Sequence, residues 1–156
     1  MSARAAWRLE SLGFTRVYRY VAGKRDWAAA GLPREGERAR EPAAGDAARP
    51  EVPTCRLADR VGAIRERVRA AGWDRCVVVA DRGVVLGLLR GEALAADPGR
   101  SAEDAMEPGP QTFRPDVRLT ELVEFLRQHE RDSALITTSD GVLLGSLTLR
   151  DAERRT

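Results

Sequence analysis

The chain has 156 residues, 43% of them hydrophobic and 32% charged, the balance of a globular protein rather than a disordered one. Twenty-six basic residues against 24 acidic ones leave a net charge of +2, too small an excess for a phosphate-backbone binder, so nucleic acid is not an expected partner. No apolar run approaches the roughly 18–20 residues of a membrane span, and Met1–Glu10 lacks the apolar core of a secretory signal, so no membrane contact and a cytoplasmic location are expected.

Residues 1–33 hold both tyrosines and two of the three tryptophans. A helix is predicted over Ala5–Leu12, a strand over Thr15–Tyr20 and a short helix over Asp26–Ala30. Residues 34–53, REGERAREPAAGDAARPEVP, contain no aromatic residue and one large aliphatic, Val52. Such a stretch buries too little apolar surface to offset the entropy of ordering it, and it is predicted to be a flexible linker. The dense aliphatic runs, and hence the main core, lie in residues 54–156.

That third region repeats internally. A shift of 58 residues lays 54–93 on 112–151 without a gap, and 11 of the 40 pairs are identical, among them Asp74/Asp132, Gly83/Gly141 and Gly87/Gly145. Each copy predicts the same elements. An extended start (Thr54–Arg56, Thr112–Arg114) precedes a helix whose apolar stripe is Val61, Ile64 and Val68 in one copy and Leu119, Leu122, Val123 and Leu126 in the other. A strand (Cys76–Ala80, Ala134–Thr138), a glycine turn and a second strand (Val84–Leu89, Val142–Leu147) follow. A last helix starts near Arg90 or Thr148. The expected fold is α/β (α+β), two β-α-β-β-α units of roughly 40 residues, each too small to fold alone.

Cys55 and Cys76, with His129 as the one histidine, cannot form a standard structural zinc site. Both read as small buried apolar side chains. Trp73 reads as a core or dimer contact, and His129 as a surface residue at a helix end.

The order of elements, the duplication and the run Gly145-Ser146-Leu147-Thr148-Leu149-Arg150-Asp151 resemble the tandem cystathionine-β-synthase (CBS) domain pair, also called a Bateman module. The junction Ala105-Met106-Glu107-Pro108 is similar to the family's entry into a second copy. The resemblance divides the chain into CBS repeats at 54–98 and 99–156. It implies a non-catalytic regulatory module with no required cofactor. Its ligand would be an adenosine-type molecule (AMP, ADP, ATP or S-adenosylmethionine) held in a cleft between the copies. Thr148 and Asp151, near a helix N-terminus, would hold the ribose hydroxyls and Arg150 a phosphate. Copy one would complete that pocket with Thr54, Cys55, Cys76 and Val77. An ordinary helix cap is the plainer role for Thr148 and Asp151. In copy one Arg90 and Ala93 stand at these positions, so one competent site per chain is expected. A homodimer is implied, and a structural dimerisation module without ligand is the alternative.

Gly13-Phe14, Val17-Tyr18, Gly23-Lys24, Trp27 and Gly31-Leu32-Pro33 resemble the closing α-β-α segment of a rhodanese-like domain, which would make 1–33 a fragment of one. No cysteine precedes Cys55, so sulfurtransferase activity is not implied.

Overall fold

The computed structural model describes residues 3–18, 20–21, 23–36 and 41–156. Fifteen elements follow in order: α1 (Ala3–Ser11), α2 (Gly23–Ala29), α3 (Ala44–Ala47), β1 (Thr54–Cys55), α4 (Val61–Ala70), β2 (Arg75–Val79), β3 (Val85–Arg90), α5 (Glu92–Ala95), α6 (Ala102–Ala105), β4 (Glu107–Pro108), β5 (Thr112–Phe113), α7 (Leu119–Gln128), β6 (Ser133–Thr137), β7 (Leu143–Thr148) and α8 (Leu149–Glu153).

Two pseudo-symmetric α+β repeats result. One sheet has the order β1-β2-β3-β4 and the other β5-β6-β7, with a parallel first pair and an antiparallel hairpin in each. Helix α4 buries Val61, Ile64 and Val68, and α7 buries Leu119, Leu122, Val123 and Leu126, as the apolar stripes require. Each such side chain contributes about 1.5–3 kcal/mol on burial. The opposite faces of the sheets meet in a second apolar layer built on Val52, Val77, Val79, Leu88 and Leu135.

The hairpin tips join the repeats at one end. Val85 N–H donates to the Gly141 carbonyl and Leu143 N–H to that of Gly83, both at 3.0 Å. Gly83 and Gly141 have φ of 80° and 78°, the left-handed conformation that glycine adopts without steric cost.

Two sequence expectations are corrected. The linker predicted over 34–53 is packed from residue 43 onward. Ala43, Ala44, Ala47 and Val52 are buried, and Ala44 and Ala47 belong to the core of the second repeat. Its counterpart is α6, whose Ala102 lies in the core of the first repeat. The lead-in segments are therefore exchanged. Ala43 bridges to Arg118 and Ser101 to Arg60, while Arg49 bridges to Ser146 and Glu107 pairs with Leu88. Small side chains permit this. A Cβ on Gly45 would stand 2.7 Å from Pro115 Cβ.

No strand forms among the described residues of the predicted Thr15–Tyr20, and Arg19 of that stretch lies outside the described residues. A strand needs an edge to bond, and the named sheets are built wholly from residues 54–148. Helix α1 buries no residue, and Trp7, Phe14 and Tyr18 are exposed. Local contacts order this end: Tyr20 packs edge-on to Trp27 at 5.3 Å, and Trp27 Nε1 donates to the Pro33 carbonyl at 2.8 Å. Ser139 Oγ donates to Asp26 Oδ1 at 3.2 Å, tying α2 to a hairpin turn.

Candidate functional site

Thr148 ends β7 and is the N-cap of α8, with φ −82° and ψ 153°. Its Oγ1 accepts from the Asp151 backbone N–H at 3.1 Å and donates to Asp151 Oδ2 at 2.9 Å. The plain capping role is thus realised. Asp151 Oδ1 has no protein partner among the described residues. Thr148, Arg150, Asp151 and Arg154 line a cavity of about 650 Å³ together with Asp74, Arg75 and Asp132. Asp151 also borders a cavity of about 530 Å³ between α8 and residues 46–51.

Arg75, which the sequence reading passed over, is the buried cation of this lining, with 3% of its surface exposed. Its Nε and Nη2 donate to the two oxygens of Asp74 at 2.7 and 2.8 Å. Nη2 also reaches Asp132 Oδ2 at 3.4 Å, and Nη1 donates to Ser133 Oγ. Asp132 and Ser133 are the register mates of Asp74 and Arg75, so the cluster straddles the axis between the repeats. The signal was present in sequence: an arginine, preceded by a repeated aspartate, opens a strand whose five residues are all buried.

Hydrogen bonding from Arg75 holds the Asp74 carboxyl below its usual range, against a smaller opposing effect of burial. Burial pulls the Arg75 guanidinium down, but Asp74, then Asp132, outweigh it and the net shift is upward. A depressed carboxylate stabilises the fold above the unfolded value of about 3.9, and that contribution is lost as pH falls through the folded pKa. Urea midpoints should therefore separate the native chain from Asp74→Asn at about pH 7, and the separation should shrink as pH falls below the ordinary carboxylate value of about 3.9. An undiminished separation would show that the carboxylate charge is immaterial.

Copy one holds no such cap. Arg90 lies 3.4–3.5 Å from Glu107, and Ala93 replaces the acid. The other four site residues expected from sequence are not brought to Thr148 and Asp151. Cys55 and Cys76, 3% and 0% exposed, lie in the first-repeat core with Ile64, Val68 and Leu89. Contact with Cys76, then burial, pushes the Cys55 thiol up. Alternation along β2 explains the correction. Cys76 and Val78 face α4, so Arg75, Val77 and Val79 face the other repeat, and Val77 is sealed in the apolar layer. Thr54 is exposed. In this region the Arg49 guanidinium lies over the Trp73 ring, 4.6 Å from its centroid.

A duplicated β-α-β-β-α module with clefts between its halves is the class that this architecture defines. Residues 102–155 match the family model described as CBS domain. The chain is similar to the cytosolic domain of the Mg2+ channel MgtE in complex with ATP, at 23% identity and a TM-score of 0.67, covering 75% of this chain and 50% of that one. It thus spans half the length of that domain. It is similar to CBSX2 of Arabidopsis thaliana, solved with AMP, at 20% identity and a TM-score of 0.65, covering 72% and 93%. A CBS domain pair in complex with 5-methylthioadenosine and S-adenosyl-L-methionine gives 13% identity and a TM-score of 0.64, covering 73% and 94%. No curated protein sequence matches the chain. Residues 102–155 are thus similar to a CBS domain, and the chain shares its fold with the CBS domain pairs among these structures. None of these matches supports the resemblance of residues 5–36 to a rhodanese-like domain. Among the described residues no helix is long and apolar enough to cross a membrane, and no cluster of metal-ligating side chains occurs.

Proposed function

We propose that the chain is a regulatory, non-catalytic module that binds an adenosine-type ligand (AMP, ADP, ATP or S-adenosylmethionine) at the start of α8, with one competent site per chain. The observation that carries this reading is the Thr148–Asp151 couple on the wall of an open cavity shared with Arg75, Arg150 and Arg154. Ribose hydroxyls would donate to the Asp151 carboxylate in place of Thr148 Oγ1, and Arg150 and Arg154 would meet a phosphate. The adenosine ligands of the three similar structures support the ligand class. Arg90 and Ala93 support the single site, because neither accepts a diol. A homodimer and a cytoplasmic location go with this reading.

Charge-assisted hydrogen bonds of this kind contribute about 1.5–3 kcal/mol. Calorimetric titration should therefore find AMP or ATP bound roughly 10- to 100-fold more weakly by Asp151→Ala. An unchanged affinity would remove Asp151 from the site. The mutual satisfaction of Thr148 and Asp151 favours a second reading, a dimerisation module without ligand. A stable dimer whose melting temperature no adenosine ligand raises would establish it.

A further inference from the structure

Eight of the nine large hydrophobic side chains exposed among the described residues fall within residues 7–32. Trp7, Phe14, Tyr18 and Val21 are between 59% and 81% exposed. Single exposed hydrophobics are ordinary, but such a concentration in one stretch marks an interaction surface. Charge gathers in the same place. Residues 1–33 carry six basic and two acidic residues, a net +4, whereas the remaining 123 residues carry a net −2. Arg4, Arg8, Arg16 and Lys24 are exposed and make no ion pair among the described residues. Of the two acids, Asp26 is engaged by the Tyr20 and Ser139 hydroxyls. On α1 the half-buried face is Ala5, Ala6 and Leu9. The exposed face carries Trp7, with Arg4 one turn before it and Arg8 beside it.

We propose that this N-terminal stretch rests on the surface of a bilayer containing anionic phospholipid. Trp7, Leu12, Phe14, Tyr18 and Val21 would enter the boundary between headgroups and acyl chains, and Arg4, Arg8 and Arg16 would meet lipid phosphates. The chemistry matches on both counts. Indole and phenol rings settle at the headgroup level, aliphatic side chains lie beneath them, and guanidinium groups pair with phosphate. The sequence expectation of no membrane contact rests on the lack of a span and of a signal, neither of which a surface-lying segment needs. Other occupants fit less well. A second copy would bring another +4, and antiparallel pairing of residues 15–20 about Val17 and Tyr18 sets Arg16 opposite Arg19. Nucleic acid would leave Leu12 and Val21 uncovered, because neither has a flat face for a base. The surface lies outside the repeats, so the proposal does not depend on the nucleotide site at α8.

Co-sedimentation of the full chain with vesicles tests this. Binding is expected to vesicles of mixed phosphatidylglycerol and phosphatidylcholine, not to phosphatidylcholine alone, and it should fall steeply in about 0.5 M salt. Arg4→Gln/Arg8→Gln should weaken partitioning roughly 20- to 30-fold, at about fivefold for each basic residue near an anionic surface. Trp7→Ser/Phe14→Ser should weaken it more than about tenfold. Bromine on the acyl chains should quench tryptophan fluorescence in the native chain and less in that variant. These side chains are exposed and α1 buries no residue, so both variants keep the core. Failure to bind the anionic vesicles, equal binding to both vesicle types, or binding indifferent to either double variant would each overturn the proposal. So would a dimer, or a complex with oligouridylate, that forms without vesicles and is lost in Trp7→Ser/Phe14→Ser, because the surface would then belong to a second copy or to RNA.

Discussion

The double variant Asp74→Asn/Asp132→Asn is expected to lose about 3–5 kcal/mol of folding stability, whereas Arg75→Met loses less than about 1.5 kcal/mol. The asymmetry follows from where the desolvation falls. The Arg75 side chain is 4% exposed, but those of Asp74 and Asp132 are 70% and 67% exposed. Replacing both acids by amides leaves a buried guanidinium with neutral acceptors and no counter-charge. Removing the arginine leaves two carboxylates that water already solvates, and Ser133 Oγ keeps its 2.8 Å bond to Asp132. Methionine fills the vacated space without a polar group to satisfy. Chemical denaturation of the three chains decides it. Equal losses, or a larger loss in Arg75→Met, would mean that the cluster acts by packing rather than by charge pairing.

The same cluster shows what could be read from sequence and what could not. The duplication, the stripes of α4 and α7 and the glycine hairpins were legible, because each writes a period into side-chain polarity. The cap at Thr148 was legible because capping is local. The packing of 43–53 left no such trace. Its contacts are made by alanines, which carry little hydrophobic signal, and they depend on a partner segment far along the chain. A longer register would have found it: Ala44/Ala102, Asp46/Asp104, Ala47/Ala105 and Pro50/Pro108 are identical across the same shift. The cysteines misled for a different reason. In β2 all five residues are buried, so polarity does not reveal which side of the strand faces the helix and which the other repeat. Tyrosine and valine over 15–20 mimic a strand, yet propensity cannot supply the missing neighbour.

Gly145→Ala is expected to cost roughly 2–4 kcal/mol and to release residues 42–53 from β7. A Cβ there would stand 2.6 Å from the Arg49 carbonyl oxygen, 2.8 Å from its carbon and 3.1 Å from Pro50 N. Every one of these atoms is backbone, so no rotamer change relieves the clash. The approach is close because Arg49 and Ser146 exchange hydrogen bonds, at 2.8 Å from Arg49 N and 3.0 Å from Ser146 N, directly across Gly145's strand. Gly87 is the register mate and makes the informative contrast. Its Cβ would meet Met106 Sδ and, at 2.8 Å, Cγ, atoms of an unbranched side chain that can swing away. Gly87→Ala should therefore cost less than Gly145→Ala, although the two glycines hold the same place in the repeat. Amide hydrogen exchange would show the difference, with protection at Arg49 N–H and Ser146 N–H lost in Gly145→Ala and kept in Gly87→Ala. Because Arg49 also caps the Trp73 ring, the released segment would uncover that indole. Tryptophan fluorescence should shift toward the red in Gly145→Ala alone, and an unshifted spectrum would show that the segment stays seated.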